Sequence, residues 1–146
     1  NMYFVDRVKI EERLIYIEKH IAIFEEMNEC DTIIEKLAAE RMIHMVIEAL
    51  LDVGNSLIDG FIMRDPGSYE DIVEILEDEK VITAEMCGSY KKVIALRKSL
   101  LQFYTNINHQ ELCAVFKAEL PALKRFAPSV REYIENELGP VTAFKP

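Results

Sequence analysis

The sequence predicts an all-α fold, an up-and-down bundle of four to five helices. Apolar residues recur at steps of three and four, which is the period of one helix face. Alternation with a period of two, the pattern of a half-buried strand, occurs over no useful length. Turn and capping residues separate the periodic segments at short intervals, as expected for a bundle with short connections.

The first two predicted helices are the longest. The first lies between Val5 and Met27, and its charged residues occupy the positions around a single apolar face. The second runs from about Thr32 to about Met63 and is apolar on most of its circumference, which is typical of a helix inside a bundle or at an oligomer interface. The apolar face of the first helix consists of Ile10, Leu14, Ile17, Ile21 and Phe24.

A turn and a capping pattern predict the short third helix. The turn signal Asp-Pro-Gly at 65–67 ends the second helix. Ser68 with Asp71 three residues later is a capping-box pattern, so a helix is expected from Tyr69 to about Asp78.

Capping residues and prolines delimit the remaining helices. Thr83 is the expected cap of a helix that extends through Tyr104. In the last periodic segment Pro121 should kink or divide the helix, Pro128 suits the first turn of a restart, and Gly139 followed by proline should end it.

The size and charge of the chain limit the classes of function. A chain of 146 residues is long enough for one domain with a proper core, so residues 1–146 are expected to form a single helical domain. Asn1 is expected to be a tag remnant and 140–146 a C-terminal tail. The net charge of −9 argues against general nucleic-acid binding and leaves a local site open, and no DNA partner is expected. No apolar stretch is long enough for a membrane span, so a cytoplasmic protein without a membrane partner is predicted.

The cysteines form no recognisable metal-binding or redox motif. Cys30, Cys87 and Cys113 are widely spaced, and their odd number is typical of reduced thiols in a cytosolic protein.

A line of polar residues follows the second helix at steps of three and four. It is either a solvent-exposed stripe or one wall of a polar cleft between helices. A metal shared by neighbours on one helix would need further ligands, and no second cluster of His or Cys supplies them, so no metal and no cofactor are expected. The line consists of Arg41, His44, Glu48, Asp52, Asn55 and Asp59.

The other two histidines are isolated in the sequence. His20 follows Lys19 and is expected to be exposed, and His109 is expected to start the last helix. Neither has an obvious catalytic partner.

The segment "RKSLLQFY" places Arg97, Gln102 and Tyr104 at the end of the fourth helix. Because each helical residue turns by about 100°, Gln102 lies about 140° around the helix from Arg97. The three side chains therefore meet in one cleft only if the helix ends or bends near Gln102, or if a second copy crosses it at a two-fold axis. Otherwise Arg97 lies on the rim of the bundle, and Tyr104 has its ring in the core and its hydroxyl at the edge.

This segment resembles the signature of the HepT-like proteins of the HEPN superfamily, which is Arg, four residues, His, one residue and Tyr. Here it reads Arg97, "KSLL", Gln102, Phe103, Tyr104. The resemblance extends over about residues 6 to 126, in order, through "DRVKIEERLIYIEKHI", "VIEALLDVGNSLI" and "DPGSYEDIVEILEDEKVI". In the second of these segments, Glu48, Asp52 and Asn55 stand in positions similar to the family's.

The resemblance implies a HEPN-like bundle that pairs as a two-fold homodimer. In that family the Arg and His of two protomers form a metal-independent endoribonuclease, and a minimal nucleotidyltransferase antitoxin can adenylylate the motif tyrosine. By position, Arg97 would bind phosphate or stabilise the transition state, and Tyr104 would be the modified or positioning hydroxyl.

The chain departs from the signature at two positions. Gln102 stands where the family has His, and Lys98 where it usually has Asn. Histidine exchanges protons near neutral pH and an amide does not, and losing a general acid or base costs about a hundredfold to ten-thousandfold in rate. The sequence therefore predicts a homodimer that binds RNA, a nucleotide or a partner protein, with weakened or lost endoribonuclease activity. The alternatives are an active ribonuclease toxin, in which a group such as His44 replaces the histidine, and a non-enzymatic helical adaptor.

Overall fold

A computed structural model describes residues 4–27 and 29–139, and these residues form six α-helices without a strand. The all-α prediction is confirmed. The described residues form six helices because the last predicted helical segment is divided into two. Asn1 and the 140–146 tail lie outside the described residues. Within the described ranges, no helix is both long enough and apolar enough to cross a bilayer. The helices are α1 (Arg7–Glu26), α2 (Ile33–Gly60), α3 (Tyr69–Asp78), α4 (Ala84–Leu101), α5 (His109–Ala118) and α6 (Leu120–Leu138).

The four long helices α1, α2, α4 and α6 run alternately up and down around a common core. Two contacts show that α1 and α6 are antiparallel, because Arg7 donates to the carbonyl of Gly139 near one end while Lys124 pairs with Glu25 near the other. The helix α2 packs against α1, α3, α4 and α5, so the helix that is apolar on most of its circumference is the central one. The predicted apolar face of α1 is buried throughout.

The predicted caps at Ser68 and Thr83 are present, and Thr32 caps α2 in the same way. The side chains of Thr32, Ser68 and Thr83 each accept a hydrogen bond from a backbone N–H in the first turn of α2, α3 and α4, respectively. These local bonds satisfy N–H groups that lack a partner inside the helix. Helix starts are therefore correct to within a residue or two, whereas α4 ends at Leu101, before Tyr104.

The prolines behave differently from one another. Pro121 lies in the first turn of α6, and the chain divides there as predicted. The prediction of a helix restart at Pro128 is wrong, because this residue lies inside α6. Because proline has no backbone N–H, the carbonyl of Lys124 has no helical donor. Lys124 and Pro128 are both exposed, so the unpaired carbonyl is not buried. Gly139 ends α6 with a positive φ of 80°, a conformation that glycine adopts without steric cost.

Two buried contacts fix α3 and α4 against their neighbours. At Gly54 of α2 the backbone comes so close to α3 that an added Cβ would lie 2.5 Å from Cγ2 of Ile72. The fully buried Tyr90 of α4 donates its hydroxyl to the carbonyl of Ala122 in α6 at 2.7 Å. Its ring packs edge-on against Phe126. These contacts hold the helices whose ends carry the candidate site.

The expectation of reduced thiols is wrong for two of the three cysteines. Cys30, in the connection between α1 and α2, forms a disulfide with Cys113 of α5. The two residues are 83 positions apart, and their Cα atoms lie 6.8 Å apart, within the range that a disulfide spans. The spacing in the sequence contained no sign of this proximity, which arises from the docking of α5. Cys87 is a free thiol in the core.

Candidate functional site

Arg97 lies directly before the last turn of α4 and contacts the middle of α2. Its Nε donates a hydrogen bond to Oε2 of Glu48 at 2.8 Å, and both side chains are half-buried. This hydrogen bond raises the pKa of the guanidinium above its ordinary value. Arg97 is therefore positively charged and held in one place, which suits a group that binds phosphate.

The ring of Tyr69 lies beneath the Arg97 guanidinium. The guanidinium carbon is 4.3 Å from the ring centroid, which is the geometry of a cation–π contact. Tyr69 is the first residue of α3, directly after the Ser68 cap. Asp71 braces the same turn, because its carboxylate accepts two hydrogen bonds from Arg64 and one from the backbone N–H of Gly67.

The hydrogen bonds of the Asp71 carboxylate with Arg64 and Gly67 are strengthened by charge. The Arg64 guanidinium and the Gly67 N–H stabilise the carboxylate, and they lower the pKa of Asp71 to about 2. The turn before α3 is thus held by a charged hydrogen-bond network, and Tyr69 is presented to Arg97 from a fixed backbone.

A groove with a volume of about 440 Å³ opens beside Arg97. Gln102 caps the C-terminus of α4, and its side chain lines the same groove as Arg97. Both residues therefore border one groove, although an ideal helix separates them by about 140°. This groove, called the Arg97 groove below, is lined by Tyr69, Ile94, Arg97, Lys98, Leu101 and Gln102, together with Ser68, Glu70 and Ala95.

Tyr104 follows the end of α4 in the connection to α5. Its side chain is 65% exposed, and it is not among the residues that line the Arg97 groove. The neighbouring Phe103 is also exposed, and its ring centroid lies 5.9 Å from Nζ of Lys98. The side chain of Tyr104 is therefore accessible from solvent in the single chain.

The polar line of α2 separates into a part near Arg97 and a part at the surface. His44 is near the site, since its Nε2 lies 3.9 Å from the same Glu48 oxygen that binds Arg97. Asp52 is exposed and 3.6 Å from Arg13 of α1, a surface ion pair that contributes little to stability. Asn55 is exposed and borders a shallow pocket at the C-terminal end of α2. Arg41 and Asp59 are likewise exposed.

The remaining histidines lie away from Arg97. The prediction that His20 is exposed is wrong: it is half-buried, stacked on the ring of Tyr16, with Nδ1 2.8 Å from the Tyr16 carbonyl oxygen. His109 starts α5, as predicted, and its Nε2 is 2.6 Å from Oε2 of Glu40. Across residues 4–27 and 29–139, no three His, Cys, Asp or Glu side chains gather as they would around a metal ion.

The chemistry of the Arg97 groove is that of binding more than of proton transfer. Glu48 raises the pKa of the Arg97 guanidinium, which therefore keeps its charge, and the Gln102 amide donates and accepts hydrogen bonds without exchanging a proton. His44 is the imidazole linked to Arg97 through Glu48. Sequence reasoning missed Tyr69, because nothing in the pattern of an exposed first residue of a helix indicates a partner 28 positions later.

Comparisons with known proteins agree with this architecture. A family model described as Ribonuclease HepT-like matches residues 10–130. The protein named "Putative RNase YutE" from Bacillus subtilis (strain 168) is 50% identical over 144 residues, which is 99% of this chain and 100% of that protein. The solved structure of YutE, described as a cytosolic protein of unknown function, has a TM-score of 0.94, covering 98% of this chain and 100% of that chain at 50% identity.

A more distant structure shares the fold. It is a tri-AMPylated HEPN toxin of Shewanella oneidensis in complex with an MNT antitoxin. Its TM-score is 0.76 at 17% identity, covering 85% of this chain and 97% of that chain. At this identity the likeness shows the fold alone.

Proposed function

Because the chain belongs to the ribonuclease HepT-like family, we propose that it acts as an RNA-binding homodimer whose endoribonuclease activity is weakened or lost. One observation carries the proposal: a charged, positioned Arg97 and Gln102 line the same groove, where the family signature has Arg and His. The groove keeps a phosphate-binding cation and lacks, at that position, a group that transfers protons near neutral pH.

The expected size of the catalytic defect follows from the chemistry of the side chains. A general acid or base contributes about a hundredfold to ten-thousandfold to the rate. Arg97 can still stabilise negative charge on phosphate, and Gln102 can still bind RNA through its amide. Binding should therefore be retained while cleavage falls by at least about a hundredfold from that of a histidine-containing site.

Cleavage of single-stranded RNA by the purified protein tests this proposal. Wild type should cleave slowly or undetectably, Gln102→His should create or raise cleavage, and Arg97→Ala added to Gln102→His should abolish the gain. Rapid cleavage by wild type that Arg97→Ala eliminates would show an active ribonuclease. No gain from Gln102→His, in a protein that remains folded, would count against a preserved catalytic cleft.

A second candidate function is the active ribonuclease with His44 as the proton-transfer group. The observation that favours it is the 3.9 Å distance from His44 to the Glu48 oxygen that holds Arg97. In this case His44→Gln should lower wild-type cleavage by a hundredfold or more. Cleavage that is the same in His44→Gln and wild type would exclude His44 from this role.

The proposed dimer would place two copies of the site on facing surfaces. Two groups of exposed apolar side chains support a protein interface. They are Leu101, Phe103 and Tyr104 beside the site, and Ile33, Ile34 and Leu37 in the first turns of α2. Light scattering at micromolar concentration should give the mass of a dimer, and a monomeric mass would overturn this part of the proposal.

A nucleotidyltransferase antitoxin is the proposed protein partner, and the cytoplasm is the proposed location. The exposed Tyr104 hydroxyl is accessible to such an enzyme, and the HEPN toxin of similar fold was solved AMPylated and with an MNT antitoxin. A gene for a minimal nucleotidyltransferase next to that of this protein would support the pairing. Incubation of the two proteins with ATP should add AMP to wild type but not to Tyr104→Phe, as measured by intact mass.

A further inference from the structure

We propose that the Arg97 groove is a nucleobase subsite, in which Tyr69 provides the aromatic surface against which one base of a single-stranded RNA stacks. This inference rests on the proposed RNA binding and deepens it. It assigns a ligand group to the groove and a binding role to a residue outside the Arg97–Gln102–Tyr104 segment.

The exposure of Tyr69 is the first observation that supports the subsite. Its side chain is 49% exposed, although it is an aromatic residue in a helix whose other face is well packed. The Arg97 guanidinium lies over one face of the ring, 4.3 Å from its centroid, and Tyr69 is among the residues that line the groove. Bases of single-stranded RNA stack on aromatic rings and on arginine planes, and such stacking tolerates any base.

The other side chains of the groove suit the remaining parts of a nucleotide. Ile94 and Leu101 provide apolar walls, and Lys98 adds a second cation beside Arg97 for the phosphates. The Gln102 amide can pair with the edge of a base. The carboxylate of Glu70, also on the groove, can accept hydrogen bonds from exocyclic amino groups.

The charge of the groove differs from that of the molecule. The chain has a net charge of −9, whereas the charged residues lining the groove are Arg97, Lys98 and Glu70, which sum to +1. Glu48 offsets the charge of Arg97 from the α2 side, so the groove is close to neutral and less acidic than the chain as a whole. Its volume of about 440 Å³ is in the range of small-molecule sites.

A purely structural role for Tyr69 makes a different prediction from the base subsite. If Tyr69 only held Arg97 in place, its removal would weaken every phosphate ligand equally, with or without a base. If Tyr69 stacks on a base, its removal should weaken only ligands that have a base at the subsite.

Fluorescence anisotropy with two labelled oligomers distinguishes these cases. One is a short single-stranded RNA, and the other is an abasic ribose-phosphate oligomer of the same length. The full-length protein is used as wild type, Tyr69→Phe and Tyr69→Ala. Thermal melts of the three proteins verify that the half-exposed side chain can be removed without unfolding the domain.

Tyr69→Ala should weaken RNA binding by about 5- to 100-fold and leave binding of the abasic oligomer within about twofold, and Tyr69→Phe should resemble wild type. Equal weakening for both oligomers, or no change in RNA affinity, would overturn the base subsite while leaving the proposed RNA binding intact. A wild-type protein that binds neither oligomer would overturn both.

Discussion

The disulfide between Cys30 and Cys113 should contribute a large part of the stability of the oxidised protein. It links the connection between α1 and α2 to α5 across 83 positions of the sequence. Breaking it by reduction, or by Cys113→Ser, returns the freedom of this loop to the unfolded chain. Reduction should therefore lower the free energy of unfolding while leaving the helical content unchanged.

The length of the loop that the disulfide closes determines how much it stabilises the folded protein. In the chain-entropy model, a crosslink over 83 residues removes about 15 cal/mol/K from the unfolded chain, which corresponds to about 4.5 kcal/mol at 25 °C. Measured losses for native disulfides are typically about 2 to 5 kcal/mol. For a domain of this size, each kcal/mol shifts Tm by about 2 to 4 °C, so a decrease of about 10 °C or more is expected.

Urea unfolding followed by circular dichroism, with and without a phosphine reductant, measures this contribution. The matched control is the reductant added to Cys113→Ser, where it should change nothing further. A thiol assay in urea without reductant should find one free thiol per chain, that of Cys87. Three free thiols would refute the disulfide in the purified protein.

An unchanged Tm after reduction would refute the stabilisation expected from the disulfide. It would mean that residual structure in the unfolded chain already restricts this loop without the covalent link. Disulfides are rare in reducing compartments, so if the protein is cytoplasmic the dithiol is the expected form in the cell. The measured difference then gives the stability that oxidation adds.

Further predictions concern packing, a buried hydrogen bond and pH. Gly54→Ala should lower the free energy of unfolding in urea by about 1 to 3 kcal/mol, because α3 occupies the position of the added Cβ. Gly88→Ala, with open space around the added Cβ, should raise it by up to about 1 kcal/mol. A change of the same sign for both would contradict the packing argument. Tyr90→Phe should lower the free energy of unfolding by about 1 kcal/mol in the same measurement, since the partly buried carbonyl of Ala122 loses a donor. No loss would show that this carbonyl is satisfied by its helix. The folded-state pKa of Asp71 is depressed to about 2 by Arg64, so its stabilisation is complete above about pH 4 and is lost toward pH 2. The Tm difference between wild type and Asp71→Asn should therefore be present at pH 6 and shrink below pH 4, and a difference independent of pH would exclude this carboxylate as its source.

The helices of this protein follow from local patterns. The apolar period of α1 and the caps at Thr32, Ser68 and Thr83 depend on residues within one or two turns of each other, so they can be recognised without a partner. The local rule was wrong at Pro128, because tolerance of proline depends on which side of the helix faces solvent. The signature at Arg97 and Gln102 likewise indicated the family from the sequence, and the family model agrees.

Which residues meet was decided by the packing of the helices. Periodicity identifies a face of a helix, but not the helix against which that face packs, nor the register of the two. Glu48 and Arg97 are 49 positions apart, and α2 and α4 had to pack in one register before they could bond. The same holds for Tyr69 beneath Arg97, which depends on the turn held by Asp71, and for Gln102, which shares a groove with Arg97. The sequence by itself thus determined the helices and the family, while only the tertiary structure decided which side chains form the groove.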